Sequence, residues 1–476
     1  MAEQVRLSRH PAGSWRELLA VAWPLVISSG SMAVMYITDR IFLTWLSTDA
    51  LAAAMPAGFL HWTLISLFMG TAHYVNTFVA QYDGAGRKDR AAAAVWQGVW
   101  FALAAGVLLL PCGLLAGSIF RWLQHPPAVA AMEAEYFSVM CFGTIPMLVS
   151  TALSGFYTGR GKALVVMWAN VAGAAANIGL DYFLIFGWGP FPAWGVRGAA
   201  VATVLAQLLV VTIYMVLIGR DARRAGYPLW EMRRFDLELF RRLLRFGLPG
   251  GVHLFADVCC WTVFLHFVSQ LGQAELAATN LAFNLNSLVF VPLMGIGTAV
   301  ATITGQRIGE GRPRLAIRSA YRAIALAEGF TLLCAAVYLG LPDLILLPYE
   351  YNNTHADFPA VRAQVITLLR FVVIYSAFDA LSVVFGNAIR GAGDTRFVLA
   401  CTVFYGLFAM LLPSYLATRV FQLGLHGAWW GATAFVVLMG STLFLRFQTG
   451  QWTKMRVIEP ASECAVPEDR SVCGAV

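Results

Sequence analysis

Long apolar segments separated by short polar loops run along almost the whole chain. Each segment is long enough to cross about 30 Å of hydrocarbon as a helix, and none alternates between polar and apolar residues as a membrane β-strand does. Because lipid offers the backbone no hydrogen-bond partners, helices and closed barrels are the structures that span a bilayer. The pattern therefore predicts an all-α integral membrane protein with twelve transmembrane helices. The predicted spans are residues 18–46, 51–80, 92–119, 135–158, 163–187, 196–219, 243–270, 276–305, 317–341, 364–389, 397–418 and 424–447.

The loops between the spans carry most of their basic residues on one side of the membrane. Arg and Lys are frequent in every second loop, as in residues 87–90, 220–245 and 307–318, whereas the longest opposite loop, 342–363, is acidic. Cytoplasmic loops of membrane proteins have such an excess of basic residues. The sequence therefore predicts a multi-pass protein of the inner (plasma) membrane with both termini in the cytoplasm.

The two halves of the chain are related by an internal repeat. Residues 24–87 align without a gap on residues 249–312, and about a quarter of the aligned positions are identical. Both copies end in Gln-x-x-Gly-x-Gly-Arg, at 81–87 and 306–312. Six spans separate the copies, so both have the same orientation, as in transporters built from parallel repeats. We therefore expect two pseudo-symmetric six-helix lobes around a central cleft. The predicted segments are a cytoplasmic N-terminal segment (1–17), an N-lobe (18–219), a basic cytoplasmic linker (220–242), a C-lobe (243–450) and a disordered cytoplasmic tail (451–476).

Composition supports a membrane protein and argues against several other classes. Of the 476 residues, 59% are hydrophobic and 12% are charged, which is about half the charged share of a soluble domain. The net charge of +7 comes from the loops and reflects topology, so we expect no nucleic-acid partner. The cysteines have no metal-ligand spacing, and motifs such as H-E-x-x-H and G-x-S-x-G are absent. We expect neither an enzyme nor a bound cofactor, and no metal other than sodium.

Five acidic side chains lie at lipid depth: Asp39, Asp181, Asp257, Glu328 and Asp379. A charge at the bilayer centre costs about 2.5–3.5 kcal/mol on insertion scales, so such residues usually have a function. From the helix rise, Asp39 and Asp181 lie about 10 Å below the outer surface, and Asp257 and Asp379 lie roughly 20 Å below it. The sequence thus predicts one acidic pair in each lobe, whereas Glu328 matches no partner and is assigned no function.

Polar and aromatic residues share the helix faces of these acids. Asn177 precedes Asp181 by one helical turn, and Tyr375 precedes Asp379 in the same way. Arg40, next to Asp39, is a candidate ion-pair partner somewhere in the helix bundle. The residues that we expect to line a substrate cavity are Met32, Met35, Tyr36, His253, Phe255, Trp261, Asn280, Phe283 and Asn284.

Paired carboxylates inside a membrane protein support two kinds of chemistry. They exchange protons near neutral pH, or their oxygens bind sodium together with an amide or hydroxyl oxygen. Either ion, moving down its gradient, can drive a substrate in the opposite direction. The sequence leaves sodium and proton coupling both open.

At these acids the sequence resembles the multidrug and toxic compound extrusion (MATE) family, particularly its NorM-like bacterial members. The resemblance extends over about residues 15–450. The motifs that carry it are T-D-R-I-F-L at 38–43, F-V-A-Q-Y-D-G-A-G-R at 78–87, A-N-I-G-L-D-Y-F-L-I-F-G at 176–187, F-G-L-P-G-G-V-H-L-F-A-D at 246–257, and F-D-A-L with I-R-G-A-G-D-T-R within 378–396. The resemblance implies a secondary antiporter that exports small organic, cationic or amphipathic compounds by alternating access, in exchange for sodium or protons.

The resemblance also implies which residues bind the coupling ion. Four positions match the cation site of the first lobe in family members: Asp39, Asn177, Asp181 and Thr203. Three positions match the acidic site of the second lobe in NorM-like proteins: Asp257, Tyr375 and Asp379. That subgroup usually has Glu where this chain has Asp257, which keeps the charge and shortens its reach.

An alternative within the same superfamily is a flippase for lipid-linked oligosaccharides. Such a protein needs a cationic central cavity for its pyrophosphate, whereas the spans predicted here contain acids and almost no basic residue apart from Arg40. The partners expected for the exporter are small organic substrates, sodium or protons and the lipid bilayer, and we expect a monomer.

Overall fold

The computed structural model describes residues 10–187, 192–350 and 358–460. Twelve helices in these ranges are long and apolar enough to cross a membrane. The first six, α1 to α6, are Trp15–Leu46, Thr48–Gly84, Lys88–Leu114, Pro127–Gly159, Ala163–Phe186 and Gly195–Ala225. The second six, α7 to α12, are Leu237–Ser269, Gln273–Gly309, Pro313–Gly340, Phe358–Ala392, Thr395–Val420 and Gly424–Gln448. The predicted fold class, with two six-helix lobes, is confirmed.

Capping residues extend several helices beyond the apolar segments that predicted them. Ser14 accepts a hydrogen bond from the backbone N–H of Glu17 (3.1 Å), so α1 begins at Trp15 rather than at residue 18. Asp236 accepts one from the N–H of Leu239 (3.0 Å), so α7 begins at Leu237 rather than at residue 243. These caps satisfy backbone donors that the first helical turn leaves free.

Two of the twelve helices are irregular. The helix α2 is interrupted at Tyr74, between the segments Thr48–His73 and Val75–Gly84. The helix α11 contains two π-helical segments, Gly406–Leu411 and Leu416–Val420. The wider turns of a π-helical segment shift the faces of a helix and often lie near functional residues.

The repeated Gln-x-x-Gly motifs of the two lobes pack against each other. A Cβ atom added to Gly84, at the end of α2, would collide with the backbone carbonyl of Gln306 in α8. A Cβ added to Gly309, at the end of α8, would collide with the carbonyl of Gln81 in α2. The two contacts are equivalent under the sequence repeat, so a pseudo-two-fold axis passes between them. The predicted repeat thus forms the crossing point of the lobes.

Buried polar contacts reinforce this crossing. The side-chain amide of Gln306 donates to Asp83 Oδ2 and to the carbonyl of Gly159, both at 2.9 Å. The amide of Gln81 donates to the carbonyl of Gly391 at 2.9 Å. We call the side of the molecule that carries Arg87 and Arg312 the basic side. The lobes are therefore in close contact on the basic side.

The polar segments between and after the lobes contain regular structure. The predicted linker 220–242 is largely helical, since α6 continues to Ala225 and α7 begins at Leu237. The prediction of a disordered tail is wrong for residues 451–460. There Trp452 is fully buried, stacks on Phe447 (ring centroids 4.9 Å apart) and donates to its carbonyl at 2.9 Å. Residues 461–476 lie outside the described part of the chain.

Candidate functional site

The first acidic pair lies in a cluster built by four helices of the N-lobe. We call this the N-lobe cluster: Asp39 on α1, Tyr136 on α4, Asn177 and Asp181 on α5, and Thr203 on α6. Asn177 and Asp181 are fully buried, and Thr203 and Tyr136 are nearly so. Asp39 is half-buried.

Asn177 connects Asp181 to α6. With its amide oriented to satisfy both neighbours, its nitrogen donates to Asp181 Oδ2 at 3.0 Å, and its oxygen accepts from the backbone N–H of Thr203 at 3.3 Å. Because Asn177 and Asp181 are one turn apart on α5, the helix itself fixes this geometry. The structure therefore brings together Asn177, Asp181 and Thr203, as the resemblance implied.

Two carboxylate oxygens of the N-lobe cluster are buried without a hydrogen bond. Oδ1 of Asp39 and Oδ1 of Asp181 have no partner among the described residues, and the two carboxyl groups interact electrostatically with each other and with Tyr136. Arg40 is exposed and attracts Asp39 electrostatically. Because buried polar atoms are nearly always satisfied, these two oxygens form a natural place for a proton or a hard cation such as sodium.

The second acidic pair lies in a cavity of about 440 Å³ in the C-lobe, which we call the C-lobe cavity. Its walls come mainly from α7, α8, α10, α11 and α12, and Phe59 of α2 reaches it from the N-lobe. Ligand pockets for small molecules have volumes of about 300–1,000 Å³. Of the predicted residues, the C-lobe cavity is lined by His253, Asp257, Trp261, Phe283, Tyr375 and Asp379.

The C-lobe cavity combines acidic groups with aromatic walls. Asp257 and Asp379 interact electrostatically, and the buried hydroxyl of Tyr375 has no hydrogen-bond partner in the described residues. Trp261 packs edge-on against Phe283, with ring centroids 5.4 Å apart. Aromatic faces and carboxylates both attract organic cations. The arrangement thus suits an apolar ligand that carries a positive charge.

Several residues predicted to line a substrate cavity do not line the C-lobe cavity. Phe255 does not line it, and Asn280 and Asn284 are exposed on α8, whereas the cavity is lined by Asn286. Because α8 turns by 100° per residue, the position two residues after Asn284 faces a different direction. The sequence offered three asparagines on one helix and no signal to choose among them.

The predicted cavity residues of α1 are not part of the C-lobe cavity. Met35 is buried, Met32 is half-buried and Tyr36 is exposed. Tyr36 interacts electrostatically with Asp39 and Tyr136, so it belongs beside the N-lobe cluster. Tyr136 itself was missed, because one tyrosine in an apolar helix gives no distinguishing signal.

One charged residue, Arg390, differs from what its sequence context indicated. Arg390 was predicted to lie in a cytoplasmic loop just beyond the span 364–389, yet it lies in the last turn of α10 and lines the C-lobe cavity. The spans therefore hold a basic side chain besides Arg40. Glu328 is half-buried on α9 and does not line the cavity.

Comparisons with known proteins agree with this architecture. The MatE family model matches residues 24–183 and 249–444, so it matches each lobe once. The chain belongs to the MatE family. The two matches begin at Pro24 and Pro249, the same pair of prolines that begins the internal repeat. The predicted resemblance to NorM-like bacterial MATE proteins is confirmed.

Curated relatives of this MatE protein match it over nearly their whole length. A probable multidrug resistance protein NorM from Burkholderia mallei (strain ATCC 23344) is 29% identical over 447 residues, covering 93% of this chain and 93% of the relative. A second, from Deinococcus radiodurans, is 29% identical over 435 residues, covering 91% and 94%. A crystal structure of MATE in complex with MaL6 superposes with a TM-score of 0.85 at 21% identity, covering 96% of this chain and 100% of the other.

Proposed function

We propose that this MatE protein is a secondary antiporter that exports small organic, cationic or amphipathic compounds in exchange for sodium ions or protons. The observation that carries the proposal is the pair of unsatisfied buried oxygens on Asp39 and Asp181. A buried carboxylate without a partner favours binding a cation or a proton, and releasing it requires access to water. Export of this kind is also in keeping with the names of the curated relatives, which are multidrug resistance proteins.

The proposal assigns the coupling ion and the substrate to different places. The N-lobe cluster of Asp39, Asn177, Asp181 and Thr203 exchanges the ion. Asp257, Tyr375 and Asp379 in the C-lobe cavity form a second acidic site, and its aromatic walls bind the substrate. The basic side, which carries the start of α1 and the segment after α12, faces the cytoplasm of a bacterial inner membrane, and the protein acts as a monomer by alternating access.

The test is transport in proteoliposomes under one imposed gradient at a time, sodium at constant pH or pH at constant sodium. In a one-for-one exchange, an imposed ion gradient of about 50-fold supplies about 2.3 kcal/mol, enough to sustain roughly a 50-fold substrate gradient. We expect Asp39→Asn and Asp181→Asn to abolish this accumulation, because neither amide exchanges a charge. Glu328→Gln is the matched control, since Glu328 is a half-buried membrane acid outside both acidic sites, and it should transport normally.

The outcome that contradicts the proposal is clear. Unchanged gradient-driven efflux in Asp39→Asn, Asp181→Asn and Asp379→Asn would exclude coupling through these acids. A purified protein that binds an anionic lipid-linked pyrophosphate but no organic cation would instead favour the flippase.

A further inference from the structure

Arg390 is a cation at the floor of the C-lobe cavity, on the basic side of Asp257 and Asp379. It lies eleven residues after Asp379 on α10, a rise of about 16 Å toward the basic side. Its side chain lines the cavity, and its backbone carbonyl accepts a hydrogen bond from the hydroxyl of Tyr74 in the N-lobe at 2.8 Å. The residue is thus fixed at the point where the cavity meets the other lobe.

Within the described residues, the guanidinium is held by Asn387. Its Nη2 donates to Asn387 Oδ1 at 3.1 Å, and the amide of Asn387 in turn donates to the carbonyl of Val383 at 2.8 Å. Gly297 of α8 packs directly against the Asn387 amide. The Nε–H of Arg390 is buried and has no acceptor among the described residues. An arginine has five N–H donors, so donors are left over for a bound group.

The charges around Arg390 come from several helices. Asp257 on α7 attracts it electrostatically, and His253 on α7 and His73 on α2 also lie within its field. His253 is engaged with Thr402 Oγ1 at 2.8 Å, and His73 with the carbonyl of Met69 at 3.2 Å. The cavity is therefore bipolar, with two carboxylates on one side and one guanidinium on the other.

We propose that Arg390 forms an anion-recognition subsite of the C-lobe cavity, for the carboxylate, sulfonate or phosphate group of an ampholytic substrate whose amine pairs with Asp257 and Asp379. The inference rests on the proposed export function and names its substrate class. A substrate that is only anionic is disfavoured, because both carboxylates repel it. A substrate that is only cationic makes no contact with the buried donors of Arg390 and so lacks the stabilisation that a charged acceptor gains there.

The test compares one ampholyte with its neutralised form. The probes are a fluorescent coumarin carboxylate with a piperazine at the opposite end, and its ethyl ester, which keeps the amine and loses the anion. Dissociation constants are measured on the purified full-length protein. A hydrogen bond to a charged group contributes enough for a preference on the order of ten-fold or more, so we expect the wild type to bind the acid at least that much more tightly than the ester.

The variants separate recognition from structure. Arg390→Gln should reduce the ratio of the two dissociation constants to about one, and Arg390→Lys should keep part of the preference, because lysine keeps the charge and loses the planar fork. Asn387→Ala should lower the ratio without removing the charge, so it tests the subsite even if Arg390→Gln fails to fold. Arg396→Gln is the control, since Arg396 is exposed on the same side of the molecule, and it should keep the wild-type ratio.

Two results would overturn the inference: equal affinity of the wild type for acid and ester, or equal weakening of both by Arg390→Gln. Gradient-driven export of the ester without any preference for the acid would refute this inference alone. A clear preference for the acid without gradient-driven export of either compound would instead refute the proposed function.

Discussion

Replacing Glu459 by Gln should loosen the contact between the lobes on the basic side. Glu459 lies in a segment after α12, residues 455–460, which we call the strap. Its carboxylate accepts from Arg87 Nη2 at 2.5 Å, from Arg90 Nε at 3.1 Å and from the hydroxyl of Tyr82 at 2.7 Å, all in the N-lobe. It also forms an ion pair at 3.7 Å with Arg242 on α7 of the C-lobe. One side chain thus joins both lobes.

The size of the effect follows from these contacts. Partly exposed ion pairs contribute about 0.2–1 kcal/mol each, and a hydrogen bond to a charged group contributes roughly 1.5–3 kcal/mol. Burial by itself raises the pKa of Glu459, but its own backbone N–H, Tyr82, Arg90 and Arg87 outweigh burial and lower it from 4.5 to about 2. That change corresponds to about 3 kcal/mol. The Glu459 side chain is 22% exposed, so solvent screens part of this interaction. We therefore expect the substitution to destabilise the bound strap by about 2 kcal/mol, which is roughly a 30-fold change in the equilibrium between the bound and released strap.

Hydrogen exchange measures this opening directly. The backbone N–H of Val457 donates to Gln81 Oε1 at 2.9 Å, so it exchanges when the strap leaves the N-lobe. We expect Glu459→Gln to accelerate its exchange about 30-fold, because exchange follows the population of the open state. The matched control is Asp221→Asn, which breaks the ion pair with Lys162 (2.9 Å) inside the N-lobe. Equal exchange in Glu459→Gln and the wild type, or equal acceleration by both variants, would refute the reasoning.

The pH dependence gives a second check on the same strap. The pKa of Glu459 is lower in the folded protein than in the unfolded chain. The ionised carboxylate therefore stabilises the folded protein fully above about pH 4.5, and this stabilisation is lost as the pH falls toward about 2. The difference in exchange between Glu459→Gln and the wild type should therefore be constant from pH 6 to pH 8. A difference that disappears within that range would show that another group holds the strap.

Two further substitutions test the contact between the lobes. Gly309→Ala places a Cβ against the backbone carbonyl of Gln81 and should destabilise the protein by about 1–3 kcal/mol, measured by thermal unfolding in detergent. Gly219→Ala, where a Cβ meets open space, is its control, and equal unfolding temperatures in the two variants would contradict the close approach. Glu17→Gln breaks a buried ion pair with Arg307, which keeps its other acidic partner Glu310, and should cost about 1–3 kcal/mol in the same assay. An unchanged unfolding temperature would mean that Glu17 does not neutralise Arg307.

The number and order of the helices were predictable, because each span is an apolar segment of bilayer length. Their ends were less predictable. The polar first turns of α1 and α7 depend on Ser14 and Asp236 as caps, and hydropathy does not detect a capped polar turn. The same limit explains Arg390, which hydropathy assigned to a loop although α10 continues through it.

Contacts between distant parts of the chain were the least predictable. Local spacing on one helix correctly indicated that Asn177 is a neighbour of Asp181. The contact of Glu459 with Tyr82 and Arg87 joins residues more than 370 positions apart, and no local pattern indicates it.

The internal repeat constrains the contact between the lobes much more than it constrains the charges. A two-fold axis requires that, if one residue of the first lobe meets a given residue of the second, their repeat partners also meet. Gly84 with Gln306 and Gly309 with Gln81 satisfy this rule, so the small residues must occur in both copies. The acids lie in the N-lobe cluster and the C-lobe cavity rather than at the crossing of the lobes, so they escape the rule: Asp257 aligns with Met32, and Asp39 aligns with Phe264. The two lobes are therefore free to carry different chemistry, an oxygen-rich cluster in one and a bipolar cavity in the other.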